Sequence, residues 1–198
     1  MTHQDLYHRI GPLLAAKQLD EAIDLCEELL RAIPKTDYHT VLNVELDKLN
    51  PEFADWISDF YCRVGAGMTI RAIYAELNGF TINPDVWFVD MFAFDAHGGL
   101  DNLDWTGDWE NGNSTARKSF AIEGFEQLQS RFMRDLETGS TPTAHEDAAR
   151  RLSEFLVILR TQQLFQRTID QANPNCSWKS IPYVVTAHDW DLVYETKA

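Results

Sequence analysis

The stretch TIRAIYAELNGFTINPDVWFVDMFAF, Thr69–Phe94, carries the change of periodicity on which the fold class turns. Before it, apolar residues recur every three or four positions; within it, Thr69–Leu77 and Val86–Phe94 are rich in β-branched and aromatic residues, as strands are. Asn78-Gly79 and Asn83-Pro84-Asp85 supply the turn residues between them. The spacing predicts two neighbouring antiparallel strands. Trp87-Phe88-Val89 and Met91-Phe92-Ala93-Phe94 are apolar on both faces, which suits a central strand covered on both sides. Asp90 interrupts that run, so it is either paired inside or marks a wet end of the sheet.

Upstream, residues 4–16 and 19–33 read as a helical hairpin. Leu19, Ala22, Ile23, Cys26, Leu29, Leu30 and Ile33 fall at helical spacing and Pro34 closes the run. From Leu19-Asp20-Glu21-Ala22-Ile23 to Pro34 the second helix resembles the second helix of a tetratricopeptide repeat. The glycine and aromatic positions of that repeat's first helix are unmatched, and a solenoid needs several repeats, so ordinary helix-pair packing is the expectation. A third helix starts with Asn50 as N-cap and Pro51 at its first position, and stops at Gly65. Downstream, Ile122, Phe125, Leu128, Phe132 and Leu136 define a helix. Thr143-Ala144-His145-Glu146 is a capping box opening another helix that runs to about Ala172. Ile181–Ala187 and Leu192–Glu195 give one or two last strands. The order lacks the alternation of a parallel α/β sheet, so the expected class is α+β: an N-terminal helical hairpin and further helices on a small, mostly antiparallel sheet. Residues 1–198 are expected to form one compact unit, helical over 1–65 and sheet with helices over 66–198.

The 198 residues carry 31 acidic and 17 basic side chains, a formal charge of −14, with 44% hydrophobic content. That is enough for a sizeable core. Nucleic-acid binding through the phosphate backbone is disfavoured, because it needs clustered lysine and arginine. Cys26, Cys62 and Cys176 show no C-x-x-C spacing, so neither a disulfide framework nor a zinc knuckle is indicated. The start MTHQDLYHRI lacks a signal-peptide pattern and no apolar run approaches membrane-span length, which predicts a cytoplasmic protein with no membrane contact. Without secretion the sequon Asn113-Ser114-Thr115 carries no weight.

From Arg71 to Arg117 there is no intervening lysine or arginine, yet the interval holds Glu76, Asp85, Asp90, Asp95, Asp101, Asp104, Asp108 and Glu110, with Trp87, Trp105 and Trp109. Residues 95–118, rich in glycine, aspartate and asparagine, read as a long loop, and loops of that length in compact domains are usually functional or disordered. Large aromatics ringed by charge are what protein-binding hot spots use, and complementary charge speeds association. The candidate recognition set is therefore Asp95, Asp101, Asp104, Trp105, Asp108, Trp109 and Glu110, with a basic protein as partner. For both tryptophans the competing reading is a lid folded back on the core.

Catalytic patterns are missing. G-x-S-x-G, H-E-x-x-H and the calcium-loop ligand order do not occur, and Gly65-Ala66-Gly67 lacks the third glycine and the lysine of a phosphate loop. The alternative to recognition is a metal-dependent hydrolase built on Asp90, Asp95, His97, His188 and Asp189, with Asp101 and Asp104 nearby, although none of these spacings is diagnostic. Beside Thr186 and Trp190, His188-Asp189 also reads as a capped turn. In size, charge and aromatic-acidic clustering the chain is similar to the immunity proteins that neutralise basic nuclease toxins in bacteria. That similarity implies a non-enzymatic inhibitor that uses no cofactor. A DNA mimic, which needs carboxylates spread along a surface rather than gathered in one segment, fits less well.

Overall fold

Helix α1, His3–Ala15, begins where the sequence closes a reciprocal cap: the Asp5 N–H donates to the Thr2 hydroxyl at 3.1 Å and the Thr2 N–H to the Asp5 carboxylate at 2.7 Å. This architecture comes from a computed structural model that describes residues 2–116, 118–139 and 141–197. Leu6, Ile10 and Leu14, spaced by four, form the buried stripe of α1. Lys17, at φ 61°, turns the chain into α2, Leu19–Arg31, which buries Leu19, Ala22, Ile23, Cys26 and Leu30. Burial pushes the Cys26 thiol up to about 12, so it behaves as a small apolar core group.

Helix α3 spans Asn50–Gly65 and buries Phe53, Trp56, Ile57, Phe60 and Val64. Here one expectation is corrected. Asn50 does not cap α3 with its side chain; it is buried, donating to Gln171 at 3.2 Å and accepting from the Thr168 hydroxyl at 3.0 Å. A tertiary partner on a neighbouring helix has claimed a side chain that local preference assigned to the cap. Helix α4, Glu126–Thr138, ends at Gly139 in the left-handed region, φ 56°. Helix α5, Ala144–Gln171, opens with the expected Thr143–Glu146 capping box. It is buried over most of its circumference, because α2 and α3 lie against it on some sides and the sheet on another.

The strands are β1, Ala72–Asn78; β2, Phe88–Phe94; β3, Phe120–Ala121; β4, Tyr183–Ala187; and β5, Tyr194–Thr196, in the spatial order β3-β2-β1-β4-β5. The fold is α+β. Pairing is antiparallel except between β1 and β4, which run parallel from Ile73↔Tyr183 to Leu77↔Ala187. The long crossover through α4 and α5 makes that parallel return possible. Ile122, placed by its periodicity at the start of a helix, instead directly follows the edge strand β3. Ile122 donates its N–H to Trp87 at 2.8 Å, and α4 begins only at Glu126.

Alternation gives the sheet two faces. Ile73, Ala75 and Leu77 on β1, Val89, Met91 and Ala93 on β2, and Tyr183, Val185 and Ala187 on β4 join the helices in one cluster of buried apolar residues that runs from Leu6 to Tyr194. Tyr74, Glu76, Asp90, Phe92, Phe94, Val184, Thr186 and Glu195 point the other way. No helix among the described residues is long and apolar enough to cross a membrane.

Candidate functional site

The segment from Asp95 to Ala116 lies over the second face of the sheet, and a few polar anchors hold it there. Thr115 donates its N–H to Met91 at 2.9 Å and accepts the Met91 N–H on its hydroxyl at 2.7 Å. The same hydroxyl donates to Asp90 at 3.1 Å, and Ser119 donates to the same carboxylate oxygen at 2.7 Å. Asp90, only 7% exposed, is thus paired inside the protein, and Thr115 of the sequon is itself buried. From α3, Arg63 donates to the carbonyls of Gly112 at 2.7 Å and Ser114 at 2.8 Å, and the Trp56 indole donates to Lys118 at 2.8 Å. A cleft of about 620 Å³ opens between this helix and the loop.

At its other end the loop crosses toward β5. His97 Nε2 faces Glu195 at 2.8 Å, while the Gly99 N–H donates to Nδ1 at 3.3 Å; that contact leaves Nε2 as the proton-bearing nitrogen. Trp105 sits in a single 3₁₀ turn, Asp104–Gly107, and donates its indole N–H to Gly99 at 3.0 Å. Its ring stands edge-on to Phe94 at 4.8 Å. A Cβ on Gly98 would lie 2.3 Å from the Trp105 ring, so the close crossing of these strands of chain requires glycine.

Trp105 is therefore half-buried as a staple of the loop, closer to the lid reading. Trp109 differs. It leans on Phe92 at 4.9 Å and keeps 38% of its surface exposed, with Leu100 exposed in the same loop. Asp95, Asp101, Asp104, Asp108 and Glu110 are all exposed, and none makes an ion pair with a described residue. Asp104 closes a local turn with Asn102, whose side-chain oxygen accepts the Asp104 N–H at 2.8 Å.

The residues of the metal alternative are not gathered. Asp90 is engaged by Thr115 and Ser119, Asp95 is exposed, and His97 faces Glu195. His188 hydrogen-bonds Glu76 through Nδ1 at 2.8 Å and stands 3.7 Å from Asp189. Among the described residues no three or more histidine, cysteine, aspartate or glutamate side chains form a group that could hold a metal ion. The His188-Asp189 segment is a turn, with Asp189 at φ 61° and Thr186 donating its hydroxyl to Trp190 at 2.8 Å.

Residue-by-residue reading missed Thr115 and Arg63 as anchors, because their roles depend on groups far along the chain. It also gave no special place to Glu76, which the register sets opposite Asp90 and which holds His188. Its presence in the acidic run was the only available signal. The chain matches no family model, and neither a curated protein nor a solved structure matches it.

Proposed function

We propose that the protein is a non-enzymatic interaction module of the cytoplasm, immunity- or inhibitor-like, that takes a basic protein partner on the acidic-aromatic loop. One observation carries this reading: the loop is fixed to the sheet by buried bonds, yet it holds out five exposed carboxylates lacking a described cationic partner together with the partly exposed ring of Trp109. A fixed aromatic loses little conformational freedom on contact, and unpaired surface carboxylates steer a cationic surface toward it. Trp109, with Leu100, is the apolar anchor in this scheme. Trp105 holds the anchor in place, and Asp95, Asp101, Asp104, Asp108 and Glu110 supply the charge.

The test is coexpression with the product of the adjacent gene, followed by copurification and affinity measurement. Trp109→Ala is expected to weaken the complex by about 2 kcal/mol or more, as loss of a hot-spot tryptophan does. Replacing Asp101, Asp104 and Asp108 with asparagine is expected to slow association and flatten its salt dependence. Binding by an acidic partner, or binding indifferent to both variants, would overturn the reading.

A further inference from the structure

Away from the loop, the parallel strands β1 and β4 end side by side, and the turns that follow them enclose a cleft of about 310 Å³ with the first turn of α1 and one flank of α5. Its lining combines charged and aromatic side chains. On one side His3 approaches Glu154 at 3.4 Å, and Arg150 donates to Glu154 at 2.9 Å and to Asp147 at 3.1 Å. On the other side His188 faces Glu76 and Asp189. Trp190 forms an aromatic wall, with its ring centroid 5.2 Å from His3 and 5.9 Å from Phe80. Ile82, 51% exposed, stands in the lining as an apolar patch.

Charge decides what such a cleft accepts. Around the cleft Arg150 pairs with Glu154 and Asp147, Arg151 also with Asp147, and His188 with Glu76 and Asp189, so with His188 protonated the four carboxylates exceed these three cations by one charge, a margin that protonation of His3 beside Glu154 would cancel. An anion would meet that excess, whereas a cation relieves it. Asp189 has 82% of its side chain exposed, with His188 at 3.7 Å its one ionic neighbour among the described residues, and so is free to take a ligand. The face of an indole next to carboxylates attracts an organic cation through its quadrupole, and Ile82 and Phe80 offer cover for an aliphatic stem. Phe80 and Asp189, both lining the cleft, hold positive φ values of 58° and 61°. For phenylalanine that is a costly backbone.

We propose that this cleft binds a small organic cation, an amine or guanidinium on a short apolar stem, with Asp189 as its ionic partner and Trp190 as its aromatic wall. The site stands independently of the loop and its protein partner.

The probe is agmatine, which carries a guanidinium and an ammonium on one aliphatic chain, titrated into the full isotope-labelled protein at physiological salt. Saturable shifts confined to Gly79, Phe80, His188 and the Trp190 indole are expected. Asp189→Asn should weaken binding roughly tenfold, as loss of one ionic contact in a partly enclosed site would. Asparagine accepts the left-handed backbone of that position, so the turn is retained. Unsaturable shifts spread over residues 95–110 would show diffuse attraction to an acidic surface and overturn the proposal. So would cleft shifts produced by succinate or phosphate, agmatine binding unchanged in the Asp189→Asn variant, or silence at the cleft.

Discussion

Two tryptophans four residues apart in the same acidic loop are held differently, and the difference lies in what each indole nitrogen and ring touches. Trp105 donates to a backbone carbonyl and stands on Phe94, whereas Trp109 leans on Phe92 and its indole finds no hydrogen-bond partner among the described residues. Trp105→Ala should therefore destabilise the free protein by about 1–2 kcal/mol, less than a fully buried ring would cost, and Trp109→Ala by well under that. Thermal or urea unfolding of the two single variants checks the order; equal losses would return Trp109 to the core. Gly98→Ala should act like Trp105→Ala, since its Cβ displaces the same ring, and hydrogen exchange over 97–108 is the readout. At His188 the hydrogen bond that the imidazole donates to Glu76 raises its pKa against the opposing effect of burial. A raised folded-state value means that this pair stabilises the protein fully below the ordinary histidine pKa, and that the contribution is lost as pH climbs through the raised one. An NMR titration should show the His188 midpoint falling in Glu76→Gln.

The helices make their strongest demand where α2 meets α5. Glu27 and Arg160, each with a side chain 8% exposed, meet at 2.8 Å, and Arg31 reaches the other Glu27 oxygen at 2.7 Å. Gln163 extends the chain of bonds from Arg160 at 2.9 Å to Asp20 at 2.6 Å. Burial opposes ionisation of Glu27, but the hydrogen bonds from Arg31 and Arg160 outweigh it and hold the carboxyl below its ordinary range. The stabilisation from this group is present above the unfolded carboxyl pKa and is lost as pH falls through the depressed value. Glu27→Ala leaves the Arg160 guanidinium buried without its partner and should cost about 3–5 kcal/mol. Removing both charges with Glu27→Leu and Arg160→Met should cost less than Glu27→Ala alone, because an apolar pair carries no desolvation penalty. A double-mutant cycle by denaturant unfolding decides it.

Over the whole molecule, 31 acidic against 17 basic residues produce a self-repulsion that simple salt screens. Moderate sodium chloride should raise the melting temperature of the free protein, while the same salt should slow association of a basic partner with the loop. The opposite signs separate folding electrostatics from binding electrostatics in one pair of measurements. A melting temperature that falls with salt would mean that internal pairs such as Glu27–Arg160 and Arg150–Glu154 outweigh the surface repulsion.

Local pattern by itself determined the helices and the central hairpin, because periodicity, the capping box at Thr143 and the Asn-Gly turn act over a few residues. It also marked the acidic loop, since composition needs no geometry to be read. Only the tertiary structure decided what depends on distant partners: the parallel return of β4 beside β1, Phe120–Ala121 as an edge strand, and Asn50 bonded to α5 instead of capping α3. For the same reason it separated Trp105 from Trp109, which share one composition. The cleft beyond β1 and β4 joins His3, Arg150 and His188, residues that no short-range preference relates and that meet because two strands end together beneath α5.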